Sequence, residues 1–344
     1  MDKRMTIGID LAKNIFALVA LTSAGKLLWR KTLRRNQLLR FLAKQSIARI
    51  AIEACGSAHY WAREITSLGH EVVLLPPQHV KGYLRGQKND YNDAQAIAEA
   101  LNHGSIRPVP VKSVEQQDEQ AFLVIRRGLS RDRSRLINQI RGQLSEYGVV
   151  MPKGVVSVRK ALPELIDRPD SGLSESFRQL LRRQYTRLCL LNEELAWYDK
   201  QLKEKSKQDE VCRRLVEAPG LGEVNAYALK AWLGDGKQFK RGREAAAALG
   251  LVPRQYGTGG KNTLSGITKR GDSYLRSLVI HGARAAVKAA PGKKDSLSLW
   301  IERVKARRGF NKAVVALANK LVRVAWVIVA RGEHYRPANI AAAL

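Results

Sequence analysis

Residues 6–33, TIGIDLAKNIFALVALTSAGKLLWRKTL, hold three short apolar runs broken by brief polar segments. Such runs read as strands, and SAG at 23–25 reads as a hairpin connection. Two further runs follow: ARIAIEAC at 48–55, apolar on both faces, and HEVVLLPP at 70–77. Between them, SAHYWAREITSLG spaces its apolar residues as a helix does, with Gly69 as the C-cap. Three strands in hairpin order, then strand and helix in alternation, predict a mixed sheet flanked by helices. This is an α/β layer of about 110 residues.

The chain then changes character. After the proline-containing link at 106–113, EQQDEQAFLVIRRGLSRDRSRLINQIRGQLSEYG predicts one long basic helix ending at Gly148. A second helix carries Leu173, Phe177, Leu181, Leu188, Leu191, Leu195, Tyr198 and Leu202, whose later steps alternate three and four. That heptad seam suits a coiled coil within the chain or between subunits. From 211 onward the pattern changes again. LVEAPGLGEVNAYALKAWLG at 215–234 has the form of a helix-hairpin-helix, whose turn can offer backbone N–H groups to a phosphate. Residues 248–287 gather glycines, hydroxyls and cations in what reads as a loop able to bring backbone close to a phosphate chain. A final apolar helix pair runs from Trp300 to Gly332. The expected domains are therefore 1–110, 111–210 and 211–344.

Charge narrows the function. Lys and Arg total 60 against 31 Asp and Glu, a formal net charge of +29 over 344 residues, and the excess is spread along the chain. A polyanionic partner follows, because phosphates aligned with cations release counterions on binding. Nucleic acid is favoured over membrane, since no apolar run approaches the roughly 20 residues of a spanning helix and no signal segment stands at Met1. Cys55, Cys189 and Cys212 share no metal-ligand spacing with histidines, which points to a reducing cytoplasm and no structural zinc.

Against this basic background four acids stand out. Asp10 ends the first strand in IGIDLAK, Glu53 ends the fourth in AIEAC, and Asp90 and Asp93 share one face at the start of the helix NDAQAIAEAL. Singly, each reads as a cap or a surface charge. Together they would repel one another unless divalent metal neutralised them, and two Mg²⁺ ions about 4 Å apart would also serve phosphodiester displacement.

IGIDLAK, AIEACGSAHYWAREI, LLPPQHVKGYLRGQKNDYNDAQAIAEAL, PGLGEVNA, ALGLVPRQYGTGGK and GITKRGDSYLR resemble, in order and across nearly the whole chain, the DEDD transposases of bacterial insertion sequences, the RNA-guided bridge recombinase family. The resemblance implies a RuvC-like domain of ribonuclease-H fold, a helical coiled-coil insertion, and a mostly helical C-terminal transposase domain with a helix-hairpin-helix-like element. It places Asp10, Glu53, Asp90 and Asp93 at the family's four Mg²⁺-binding positions. It further implies donor and target DNA as substrates, a guide noncoding RNA as partner, a dimer or tetramer, no membrane association, and work in the cytoplasm at the bacterial nucleoid.

In this family a serine shortly after a Pro-Arg pair, before a glycine, attacks DNA to form a covalent intermediate. In PRQYGTGGK that position is Thr258. Threonine offers the same hydroxyl on a β-branched carbon that restricts χ1. Thr258 serves, or Ser265 takes over, or strand transfer is weak. Arg254, Lys261, Lys269 and Arg270 are candidates for the scissile phosphate and its neighbours, and Tyr83, Arg85 and Lys88 for nucleic-acid backbone. His281, in IHGARA, reads as a core histidine. Two rivals need fewer parts: a junction-resolving nuclease using metal-activated water, and a nucleic-acid-binding protein with no chemistry.

Overall fold

The first three apolar runs fold as antiparallel strands β1 (Thr6–Leu11), β2 (Ile15–Leu21) and β3 (Leu27–Arg34). The next two, β4 (Arg49–Glu53) and β5 (Glu71–Leu75), run parallel to β1. The sheet order is β3-β2-β1-β4-β5, so the reading of a mixed sheet holds. The computed structural model describes residues 4–87, 89–103 and 106–337, and divides into two units, Met1–Val114 and Glu115–Leu344.

In the first unit, period-two patterning gives the sheet two apolar faces. Ile7, Ile9, Leu18, Ile50 and Ile52 pack with Leu38 and Leu42 of α1 (Leu38–Leu42) and with Trp61 and Ile65 of α2 (Ala58–Ser67). The α2 helix buries Ala58, Trp61, Ala62 and Ile65, one stripe at helical spacing. It stops before Gly69, whose φ of 93° ends the helix and whose N–H bonds the Thr66 carbonyl at 2.9 Å. A short α3 (Pro77–Val80) leads towards α4 (Asp90–Asn102), which covers the opposite face. There Ala17, Val19 and Leu21 meet Ala94 and Ala98.

The second unit is mostly helical. The long basic helix is α5 (Val114–Ser145), followed by α6 (Val155–Asp167) and α7 (Glu175–Gln208). Arg126 bonds Asp199 and Arg133 bonds Asn192, so α5 and α7 run antiparallel. Phe177, Leu181 and Leu188 of the heptad seam are buried within the chain, with Leu136, Ile137, Ile140 and Leu144 of α5 and Val158, Leu162 and Ile166 of α6.

The chain continues through α8 (Glu210–Val216), α9 (Glu223–Leu233) and α10 (Gly242–Ala248), a hairpin of β6 (Pro253–Thr258) and β7 (Lys261–Ile267), then α11 (Ser273–Lys288), α12 (Ser296–Arg308) and α13 (Phe310–Arg331). The PGLG turn joins α8 to α9 and is pressed against α11: a Cβ at Gly282 would collide with the Gly220 carbonyl, which accepts a 3.0 Å bond from Asn225 Nδ2.

Three expectations need correction. The stretch at 253–267 is a two-stranded hairpin, not an irregular loop. The α13 helix is long and apolar enough to cross a membrane, contrary to the reading that no run approaches that length. Here, however, it is a core helix: Val314, Leu317, Ala318, Leu321, Val322 and Ala325 are buried, and α8 to α12 pack around it. Finally, His281 is exposed, because the buried stripe of α11 falls on Leu275, Val279, Ala283 and Val287.

Candidate active site

The acidic site is placed by the closeness of one helix to one strand. Gly8 lies two residues before Asp10 on β1, hence on the same face of the sheet. Any Cβ there would strike the Ala94 carbonyl and Ala98. Glycine on the strand and alanines on the helix let α4 sit against the β1 backbone, and Asp90 lies one turn before Ala94. As a result Asp10, Asp90 and Asp93 bring carboxylate oxygens within 4.8 Å of one another. Asp10 and Asp93 are half-buried and Asp90 is exposed. The helix start is fixed by Asn89, whose Oδ1 accepts from the Asn92 N–H at 2.9 Å. Both aspartates in that first turn also favour the helix dipole.

Glu53 occupies the corresponding place on β4, one residue past the Ile9–Ile52 pair, and therefore shares the face of Asp10. It lies outside the trio that meets within 4.8 Å. Its field, with that of Asp10, reaches Cys55: desolvation and then these two carboxylates push that thiol up from its ordinary value. Sequence reasoning did not single out Gly8, Asn89 or Cys55 for this site. A glycine inside a strand was the available signal for a close approach.

Three carboxylates this near repel one another by about 1 kcal/mol per pair even in a water-like dielectric. Their donor set, hard oxygens from aspartate alone, fits a hard divalent cation such as Mg²⁺ and suits a soft metal poorly. Of the flanking cations, Arg85 is exposed and pairs with Glu99 at 3.8 Å, and Lys88 lies outside the described residues. Tyr83 rests against the His103 ring.

The hydroxyl candidates stand on the hairpin of the second unit. Gly259 and Gly260, at φ 53° and 79°, form the tight connection, and Thr258 pairs with Lys261 across it. Tyr256 pairs with Thr263, so Tyr256, Thr258, Lys261, Thr263 and Ser265 fall on one face. At ~3.3 Å per residue, Ser265 is about 13 Å up the ribbon from the Thr258–Lys261 pair. The two hydroxyls therefore cannot reach one phosphate together. Every residue from Pro253 to Thr258 and from Lys261 to Gly266, Arg254 included, is exposed.

Lys269 and Arg270 sit at the hairpin's base on a rigid turn. A Cβ at Gly250 would meet the Arg270 backbone, and one at Gly271 would strike the Ala248 carbonyl. The Lys269 N–H bonds the Gly250 carbonyl at 3.1 Å.

Comparison with known proteins gives this arrangement its class. Residues 7–149 match a family model described as transposase of the IS110 DEDD type, and residues 212–297 match one described as transposase of the IS116/IS110/IS902 family. A transposase of an insertion sequence element from Coxiella burnetii is 42% identical over 330 residues, 96% of this chain and 91% of its own. A probable family 20 transposase from Pseudomonas aeruginosa is 42% identical over 332 residues, 96% of this chain and 98% of its own. The transposase for insertion sequence element IS1328 from Yersinia enterocolitica is 38% identical over 328 residues, 95% of this chain and 97% of its own. The chain is thus a DNA transposase of the DEDD type. Within that class, the chain belongs to the IS116/IS110/IS902 family of insertion-sequence transposases.

Proposed function

We propose that this transposase cuts and exchanges DNA strands through a covalent protein–DNA intermediate, with Asp10, Glu53, Asp90 and Asp93 holding Mg²⁺. The carrying observation is the meeting of Asp10, Asp90 and Asp93 within 4.8 Å in a chain of net charge +29. A divalent cation held there would neutralise the carboxylates and withdraw charge from the phosphate oxygens.

The chain's own residues supply the rest. The Thr258 Oγ1 attacks the scissile phosphorus, its proton passes to solvent or a nearby base, and the P–O bond to the leaving strand breaks. The leaving strand's oxygen takes a proton as it departs. A hydroxyl of the incoming strand then attacks the threonyl phosphodiester and restores the Thr258 hydroxyl, so bonds made and broken balance. Arg254, Lys261, Lys269 and Arg270 hold the phosphate and stabilise the charge of its five-coordinate transition state.

In this reading an element-encoded noncoding RNA chooses donor and target DNA by base pairing, which leaves the protein chiefly to grip backbone. Residues 111–210 form the helical arm of a dimer or tetramer, residues 211–344 carry the nucleophile, and the enzyme works at the bacterial nucleoid. The acidic trio is complete within the first unit alone, which also suits a nuclease that uses water.

Adduct trapping separates the two. With Mg²⁺, element-derived RNA and nicked donor and target DNA, the unchanged chain is expected to give a covalent adduct that Thr258→Ala and Asp10→Ala each abolish. An adduct surviving Thr258→Ala would move the nucleophile, first to Ser265. Cleavage without adduct in any sample would establish the water-using nuclease.

A further inference from the structure

The second unit holds a basic pocket that the reaction above does not use. The α13 helix turns Lys320, Arg323, Val324, Val327, Ile328 and Arg331 towards it at steps of three and four, one stripe of the helix. The Arg241–Arg243 segment closes one side and the 333–336 segment another, around a cavity of about 400 Å³. This lies within the roughly 300–1,000 Å³ range of small-molecule sites.

Two close approaches build the pocket. A Cβ at Gly242 would press on the Arg323 backbone at 3.0 and 3.1 Å, so glycine lets Arg241 and Arg243 flank α13. Trp326 is fixed by a 2.9 Å bond from its Nε1 to the Gly236 carbonyl, and a Cβ at Gly236 would meet Ala330.

The lining is of two kinds. Trp326, Val324, Val327, Ile328 and Tyr335 make an apolar and aromatic wall. Arg241, Arg243, Lys320, Arg323, Arg331 and Arg336 make a cationic rim on which Glu333 is the one carboxylate among the lining residues. The cations also feel one another. Burial and then Arg323 lower Lys320, while burial and then Arg243 lower Arg323. An anion among them relieves that repulsion.

We propose that this pocket takes an unpaired nucleotide of a DNA strand, its base against Tyr335 and the Val324 and Val327 side chains and its phosphate on the arginine rim. Guanidinium forks match phosphate oxygens in pairs, and a flat apolar wall accepts any base face. A paired base presents only its edge, and its partner strand would not fit a cavity this small. DNA is the polymer the enzyme acts on, and strand cutting exposes its ends. The proposal stands whichever hydroxyl is the nucleophile.

The test uses the full chain carrying Asp10→Ala, in a chelating buffer, so that binding is read without cleavage. A duplex with a short unpaired DNA end is compared with a blunt duplex, and iodouracil in the unpaired end marks its neighbours by photocrosslinking. The expected result is about tenfold tighter binding of the unpaired end, the order of one base stacked on an aromatic ring, with crosslinks in residues 320–336. Val327→Trp, which fills the cavity, and Arg336→Ala, a change in an exposed segment, should each reduce that preference while leaving the blunt duplex within about twofold. Equal binding of the two duplexes, crosslinks outside 320–336, or a preference that survives both variants would overturn the proposal. Tighter binding of an RNA end than of the same DNA end would overturn its assignment to DNA.

Discussion

In the Met1–Val114 unit the acids stand where a helix is pressed onto a strand, and the pressing surface has no side chain on Gly8 and only methyls on Ala94 and Ala98. In the Glu115–Leu344 unit the Thr258 hydroxyl stands on a ribbon with no buried residue from Pro253 to Thr258. Asp10, Asp90 and Asp93 are placed by the backbone packing of α4 on β1. The hydroxyl is placed by one cross-strand ladder and a Gly-Gly turn, and a two-stranded ribbon alone is marginally stable in water. On the proposed function the contrast is apt: metal ligands would require fixed separations, whereas a nucleophile that must find phosphorus on a long polymer would gain from a carrier that adjusts to it.

The largest blow to that contrast is Gly8→Val. The added carbons meet helix backbone, which cannot move aside as a flexible side chain could, so the first unit should lose about 3 kcal/mol. Thermal unfolding of the full chain is expected to show a lowered transition for that unit, and DNA cleavage should disappear with it. An unchanged transition would mean that α4 is not held as tightly as described.

Acid should separate the two regions next. Burial, then Lys112 and Arg63, lowers His59 to about 4, and its Nδ1 accepts a 3.2 Å bond from the Lys112 N–H. The unfolded chain takes up this proton near pH 6.5 and the folded unit resists it, so stability is full above pH 6.5 and falls as pH drops towards 4. The hairpin, residues 253–267, has no histidine or carboxylate. Urea midpoints of the first unit should therefore decline over that window, and His59→Gln should flatten the slope. Hydrogen exchange in the hairpin, corrected for intrinsic rates, should show no matching change.

The smallest effect sharpens the ribbon itself. Gly260→Ala forces an L side chain into φ 79° and should cost the hairpin about 1 kcal/mol. Its amides are expected to exchange faster while the global transition stays in place. A lowered global transition would show that the ribbon belongs to the core after all.

Much of this was readable beforehand, for physical reasons that differ by element. The five strands were legible because buried sheet faces demand apolar residues at period two, as in Ile7, Ile9, Ile50 and Ile52. The placement of Asp10 and Glu53 at strand ends followed from them. The hairpin carries no readable signal because its residues, Ile267 apart, are exposed, so no apolar alternation marks it; only Gly259-Gly260 hints at a turn. His281 was misplaced by one face, since a helix stripe at 275, 279, 283 and 287 cannot be told from its neighbours when alanines surround it. Composition could not show that α13, apolar enough for lipid, would instead be enclosed by five helices. The heptad seam of α7 was correctly apolar, but a repeat does not name its partner. The basic pocket was invisible for a related reason: Arg241 and Arg323 are neighbours only after Gly242 lets the backbones meet.

The path of the chain also sets a clock on the acidic trio. Asp90 comes 80 positions after Asp10, with β4 and β5 in between. At ~5–20 residues per second of synthesis, Asp90 follows Asp10 by roughly 4–16 s. During that interval β1 and β2 already have each other as hairpin partners, while the carboxylate of Asp10 has no companions from α4. A nascent chain can form its first hairpin well before α4 has been made, and the three carboxylates meet only when α4 seats on Gly8.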